Sequence, residues 1–147
     1  MLSRDFKEFI ESLNANNVRY LVVDGYAVAL HGYPRYTKDL DVWIEPKIQN
    51  ANNVLNALTA FGFGSLDITA DDFLEEGNII QLGYPPNRID LITSLKGLMF
   101  ENCYPERVQV EIQGVLIDFI DIENLKTNKK ATGRPQDLAD LENLTID

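Results

Sequence analysis

Apolar residues fall at helical spacing at Phe6, Phe9, Ile10 and Leu13, and Ser3 stands where an N-cap belongs. The chain is therefore expected to open with a helix ending near Ala15. Tyr20 to Val23 is a run of β-formers and reads as a short buried strand. Gly25 then turns the chain into a helix carrying Ala27, Val28 and Leu30, closed by Gly32. From Asp39 to Ile44 the pattern alternates, which predicts a second strand. Asp39, Asp41 and Trp43 share one face, and Leu40, Val42 and Ile44 share the other.

Pro46 suits the first turn of a third helix, with Ile48, Ala51, Leu55, Leu58 and Phe61 inward and Gly62 as the stop. Thr69 with Asp72 matches a capping box and predicts a short helix from Ala70 to Glu75. Asn78 to Leu82 and Arg88 to Ile92 read as strands, and Leu98 to Asn102 as a brief helical turn. Val108 to Ile112 and Val115 to Phe119, joined by Gln113-Gly114, form a hairpin pattern. Asp121 can cap a helix to about Thr132, and Gly133 interrupts it. Pro135 starts a last helix with Leu138, Leu141 and Leu144 inward.

Helices and strands alternate early and a hairpin comes late. This predicts an α/β (α+β) fold with a mixed sheet flanked by helices. A length of 147 residues suits one domain, 1–147, with one core. No apolar run approaches the roughly 20 residues that span a membrane, and the N-terminus does not read as a secretory signal. With a lone Cys103, these features lead to an expectation of a cytoplasmic protein with no membrane partner. His31 is the only histidine, and no Cys/His cluster exists for a structural zinc. The formal net charge of -10 disfavours nucleic acid as a partner. A local basic groove stays open, because Lys126, Lys129, Lys130 and Arg134 lie close together in the sequence.

Candidate chemistry centres on the acids. Asp39 and Asp41 lie on one strand face, about 6–7 Å apart at the backbone, and repel each other unless a cation sits between them. Such oxygen ligands suit Mg²⁺ or Mn²⁺ with substrate phosphates. Asp90, an acid in the middle of an apolar strand, is the candidate third carboxylate, and Asp118 is a weaker one. Three carboxylates with metal point to phosphoryl or nucleotidyl transfer. The Gly25 turn is placed to bring backbone amides toward a phosphate.

The segment VVDGYAVALHGYPRYTKDLDVWIE resembles the signature of the minimal nucleotidyltransferases of the polymerase-β-like nucleotidyltransferase superfamily. That signature is an apolar strand, a glycine turn, a short helix, and two acids flanking one apolar residue. RIDLITSLKG and NKKATGRPQDLADLENL extend the resemblance, which runs from about Tyr20 to Leu144 and is weak over Ala51 to Gly77. These stretches are similar to small bacterial proteins related to abortive-infection and toxin–antitoxin nucleotidyltransferases.

The resemblance implies an Mg²⁺-dependent enzyme that moves a nucleoside monophosphate from an NTP, such as ATP, to a hydroxyl of a protein, an RNA or a small molecule. It makes Asp39 and Asp41 metal ligands, and Asp90 a further ligand or the base. Gly25 becomes the phosphate-turn glycine. Lys129 and Arg134 reach toward the triphosphate, and Arg35 and Thr37 line the nucleotide pocket. The alternative it implies is a non-catalytic binding module, an antitoxin or regulator with a protein partner encoded nearby. An oligomer is compatible with either.

One position departs from the family pattern. The turn usually begins with glycine, and here that position is Asp24. An acid there repels a triphosphate and weakens or abolishes activity, or else it points away and caps the following helix. Bland readings stand beside the sharp ones. Asp90 can simply pair with Arg88 or Arg35, Arg134 with Asp137, and the lysines can be a solvated helix face. His31 fits best as a satisfied helix-end residue.

Overall fold

The Ser3 hydroxyl accepts a hydrogen bond from the Phe6 amide at 3.2 Å and starts helix α1, Arg4–Ala15. Phe6, Phe9, Ile10 and Leu13 form its buried side. The computed structural model describes residues 2–32, 39–64, 67–84 and 87–145. Among these, β1 (Tyr20–Val23), α2 (Asp24–Leu30), β2 (Leu40–Ile44) and α3 (Ile48–Phe61) follow α1. A 3₁₀ turn at Ala70–Phe73 then leads to β3 (Ile79–Leu82) and β4 (Ile89–Ile92). A short helix α4 (Phe100–Cys103) and a 3₁₀ turn at Tyr104–Glu106 precede the hairpin of β5 (Val108–Ile112) and β6 (Val115–Phe119). Helices α5 (Ile122–Thr132) and α6 (Pro135–Thr145) close the described chain.

The strands form one mixed sheet in the order β3-β4-β2-β1-β6-β5. All four residues of β1 are buried, as expected of a strand flanked on both sides. It pairs antiparallel with β2 and parallel with β6. Strands β2 and β4 run parallel, and this register brings Asp41 level with Asp90. Gln113 (φ 53°) and Gly114 (φ 83°) both adopt left-handed conformations, which a two-residue hairpin loop requires. The mixed α/β architecture anticipated from the alternation of elements is the one observed.

Three details correct the sequence reading. Pro46 lies before the N-cap Lys47 rather than inside the first turn of α3. The buried side of α3 is Asn50, Ala51, Val54, Ala57 and Leu58, with Ile48 56% exposed. The cause is Asn50. Its side chain accepts from the Arg19 amide at 2.7 Å and donates to the carbonyls of Arg19 (2.9 Å) and Glu45 (3.1 Å). Satisfying buried backbone groups turns α3 toward that residue. In α6 the inward residues are Asp137, Asp140 and Leu144, while Leu138 is 50% exposed.

The sheet face that carries Asp41 is open at its acidic end and covered farther along. There Trp43 meets Phe100 edge to face, with ring centroids 5.2 Å apart. Among the described residues no helix is long and apolar enough to cross a membrane.

Candidate active site

Alternation along β2 and the β2–β4 register put Asp39, Asp41 and Asp90 on one face, where they line a cleft of about 530 Å³. Asp24 lines the same cleft from the β1–α2 junction. Burial, followed by the negative charges of Asp24, Asp90 and Asp39, pushes the Asp41 carboxyl up to about 7. Lys129 acts in the other direction but does not outweigh them. The floor of the cleft is therefore short of positive charge.

Arg88 supplies part of what is missing. Its guanidinium grips both oxygens of Asp90, at 2.8 and 3.0 Å, and reaches Asp39 at 3.0 Å. The pairing of Asp90 with Arg88 that the sequence allowed is thus present, and the same arginine also reaches Asp39. The Arg88 side chain is 27% exposed, so it stands at the edge of the cleft and is not sealed beneath it.

Beneath the acids lies a second charge cluster. The Lys129 side chain is 2% exposed. Its ammonium pairs with Asp24, with Asp137 at 3.4 Å and with Asp140 at 3.4 Å. Carboxylate oxygens of Asp24, Asp137 and Asp140 lie within 4.8 Å of one another, close enough to surround a cation. In this structure the ammonium of Lys129 serves as that cation. Burial works against its charge, but the three carboxylates outweigh burial and raise its proton affinity above that of an ordinary lysine. Burial likewise pushes Asp137 up. Hydrogen bonds from Arg134 and Thr132, with the charges of Lys129 and Arg134, more than offset this and bring it down to about 2. Arg134 holds Asp137 in a two-pronged contact, at 2.6 and 3.1 Å, and its amide donates to the same carboxylate at 3.2 Å.

Backbone geometry clarifies the departure at the turn. Asp24 adopts φ 58°, the left-handed region that glycine occupies most easily. An aspartate is among the few other residues that tolerate it. Val23, not Asp24, is the N-cap of α2. Of the two roles open to Asp24, pointing at the cleft or capping the helix, its contact with Lys129 adds a third: it is the counter-ion of a buried lysine.

The remaining candidates fall in several places. Gly25 is buried in the first turn of α2, which is only 7 residues long, and the cleft is lined by its neighbours Val23 and Asp24. Arg134 lines the cleft, whereas Lys129 sits behind Asp24, not among the lining residues. Arg35 and Thr37 lie outside the described residues. Asp118 is turned to Gln109 on β5 (2.8 Å) and to Arg107 just before it (3.6 Å) and does not line the cleft. His31 bonds the Ile120 carbonyl at 2.9 Å, a structural role.

Sequence reasoning did not single out Asp140. The available signal was the spacing of Asp137 and Asp140 on one helical face, the same face as Leu144.

No protein-family model matches the chain, and no curated protein matches it. Solved structures do. A Thermotoga maritima protein described as a "putative nucleotidyltransferase" superposes with a TM-score of 0.65 at 15% identity, over 95% of this chain and 89% of that one. A nucleotidyltransferase-like antigenic protein from Paracoccidioides brasiliensis superposes with a TM-score of 0.56 at 18% identity, over 97% of this chain and 77% of that one. At such identities the likeness establishes the fold.

Proposed function

We propose that this chain, which has the nucleotidyltransferase fold, transfers a nucleoside monophosphate from an NTP to an acceptor hydroxyl with Mg²⁺ or Mn²⁺ bound. The observation that carries the reading is the convergence of Asp39, Asp41 and Asp90 on one cleft. The donor set suits such an ion: it is all carboxylate oxygen, and the positive charge nearby is not enough to keep Asp41 in its ordinary range. Asp39 and Asp41 would hold the metal, with Asp90 as a further ligand or as the base. A divalent ion bound there would neutralise the triphosphate and the leaving pyrophosphate.

The residues of the chain supply the rest. The acceptor oxygen attacks the α-phosphorus and a new O–P bond forms. The bond from that phosphorus to the bridging oxygen breaks, and pyrophosphate leaves with the electron pair. Where Asp90 serves as the base, it takes the hydroxyl proton. Arg88 balances Asp39 and Asp90 before substrate arrives and can turn to the phosphates when it does. Arg134, held by Asp137, presents a guanidinium at the cleft wall, and guanidinium groups match phosphate geometry. Lys129 keeps the Asp24 turn in place from behind. Calorimetry with Mg²⁺ and a non-hydrolysable NTP tests the reading. The wild type is expected to bind the nucleotide only with metal, and Asp41→Asn is expected to lose that dependence and all turnover. Equal binding by both proteins would sink it.

One observation favours a second reading. Asp24 adds an acid to the cleft where the family pattern has glycine, and its charge disfavours a triphosphate. On that reading the fold serves as a binding module, an antitoxin or regulator joined to a protein partner. Radiolabelled NTP separates the two, because label transferred to any acceptor excludes the module.

A further inference from the structure

A second cavity, of about 220 Å³, lies on the same sheet face, toward the opposite ends of the same two parallel strands. Strand β2 passes from Asp41 through Trp43 and ends just before Glu45, and β4 passes from Asp90 to Ile92 and ends just before Thr93 and Ser94. Ser94 lines both this cavity and the acidic cleft, so the two spaces share a wall. Two steps along the strand lead from Asp41 to Trp43, about 7 Å, which is the length of a small aryl-alkyl molecule.

The walls are mainly apolar. Trp43 and Phe100 meet edge to face, and Leu98 and Met99 complete the surface. A cavity of roughly 150 Å³ holds a benzene ring, so this one holds one ring with a short tail. Its charged groups are Glu45, Glu76, Glu101 and Lys47. Glu45 is taken by Arg19 at 3.2 Å. Glu76 and Glu101 are exposed and have no ion-pair partner among the described residues. Two uncommitted carboxylates against one lysine favour a cation and disfavour the triphosphate.

We infer that this cavity is the acceptor subsite, and that it takes a small molecule with one flat apolar ring, a protonated amine and a hydroxyl directed toward Asp90. The acceptor role rests on the transfer chemistry proposed above, whereas binding of the amine does not.

Trp43 is the only tryptophan of the chain and lines the cavity, so its emission reports occupancy directly. Three probes separate the outcomes. 2-Amino-1-phenylethanol carries ring, hydroxyl and ammonium. Mandelate carries the same ring and hydroxyl with a carboxylate, and adenosine offers a nucleobase. A saturable change in Trp43 emission is expected with the amine, at least about tenfold tighter than with mandelate, because the two probes differ in the sign of their charge beside the same carboxylates. The exposed double variant Glu76→Gln/Glu101→Gln is expected to bring that ratio close to one while leaving the fold intact. Equal binding of amine and mandelate, preference for adenosine, or no saturable response would each overturn the assignment. With Mg²⁺ and NTP present, the amine is expected to raise pyrophosphate release several-fold. An amine that binds without doing so, in a protein that binds Mg²⁺ and nucleotide, would leave a ligand site and overturn the acceptor role. If instead calorimetry finds no metal-dependent nucleotide binding while the amine still binds, the transfer reading fails and the cavity's ligand stands.

Discussion

Asp24 is the residue at which sequence, strain and charge meet. It occupies a left-handed backbone position, faces a cleft that already holds three acids, and compensates by pairing with a lysine 105 residues away. The two sides of that pair are not equally easy to remove. Lys129→Met leaves three carboxylates beside a buried methyl group, and breaking a buried ion pair from one side typically costs about 3–5 kcal/mol. Urea denaturation is expected to show a loss of that order. Adding Asp24→Gly to the Lys129→Met background is expected to recover part of it, since the glycine relieves both the repulsion and the positive φ. Asp24→Gly alone leaves Lys129 with Asp137 and Asp140, so its stability is expected to stay within about 1 kcal/mol of the wild type. Additive losses in the double variant would show that the two residues do not act as a pair. The sequence flagged Asp24 as anomalous because a glycine was expected there. Its partner was not legible, because nothing local distinguishes a lysine on a solvated helix face from one folded inward.

The last helix shows the same limit at the scale of an element. Leu138, Leu141 and Leu144 have the spacing of an inner face, yet Asp137, Asp140 and Leu144 are the residues turned in. Apolar periodicity identifies a buried face only where burial is driven by apolar area. Here α6 is held to α5 partly by charge, through Lys129, and that pairing was invisible without the topology. Boundaries fared better. The caps at Ser3 and Asp121, the glycine stops at Gly62 and Gly133 and the Gln113-Gly114 turn each carry a local chemical signature, and all are observed. The charged contact gives α6 a pH dependence. Asp137 sits at about 2 against an ordinary 3.8, so its contribution is fully present above about pH 4 and fades as pH falls through about 2. The difference corresponds to about 2 kcal/mol. In an acid titration followed by circular dichroism, Asp137→Asn is expected to lack that part of the wild type's decline. An unchanged acid limb would show that Asp137 is not held down by its partners.

For the molecule as a whole, the decisive step is the parallel pairing of β2 with β4, which sets Asp90 level with Asp41 across 48 intervening positions. The alternation of Asp39, Asp41 and Trp43 was legible in the sequence. The neighbour of that strand was not, since strand order in a mixed sheet is a tertiary property; Asp90 could be nominated only as an acid out of place among apolar residues. The fold thus places like charges together that would be more stable apart, as binding and catalytic sites commonly do. A stability measurement can test this cost directly. Asp41 is raised to about 7 in the fold from 3.8, so the metal-free protein loses stability as pH climbs from about 4 through about 7. Asp41→Asn removes the buried charge, and near pH 8 it is expected to melt higher than the metal-free wild type, by about 1–3 kcal/mol of stability. Mg²⁺ is expected to reverse the order. At a thousandfold excess over its dissociation constant, a bound ion adds about 4.1 kcal/mol to the wild type and nothing to the variant. Thermal melts of both proteins with and without Mg²⁺ would measure this crossing. A wild type that stays below the variant at every Mg²⁺ concentration would mean that the four acids of the cleft are not held together for a metal.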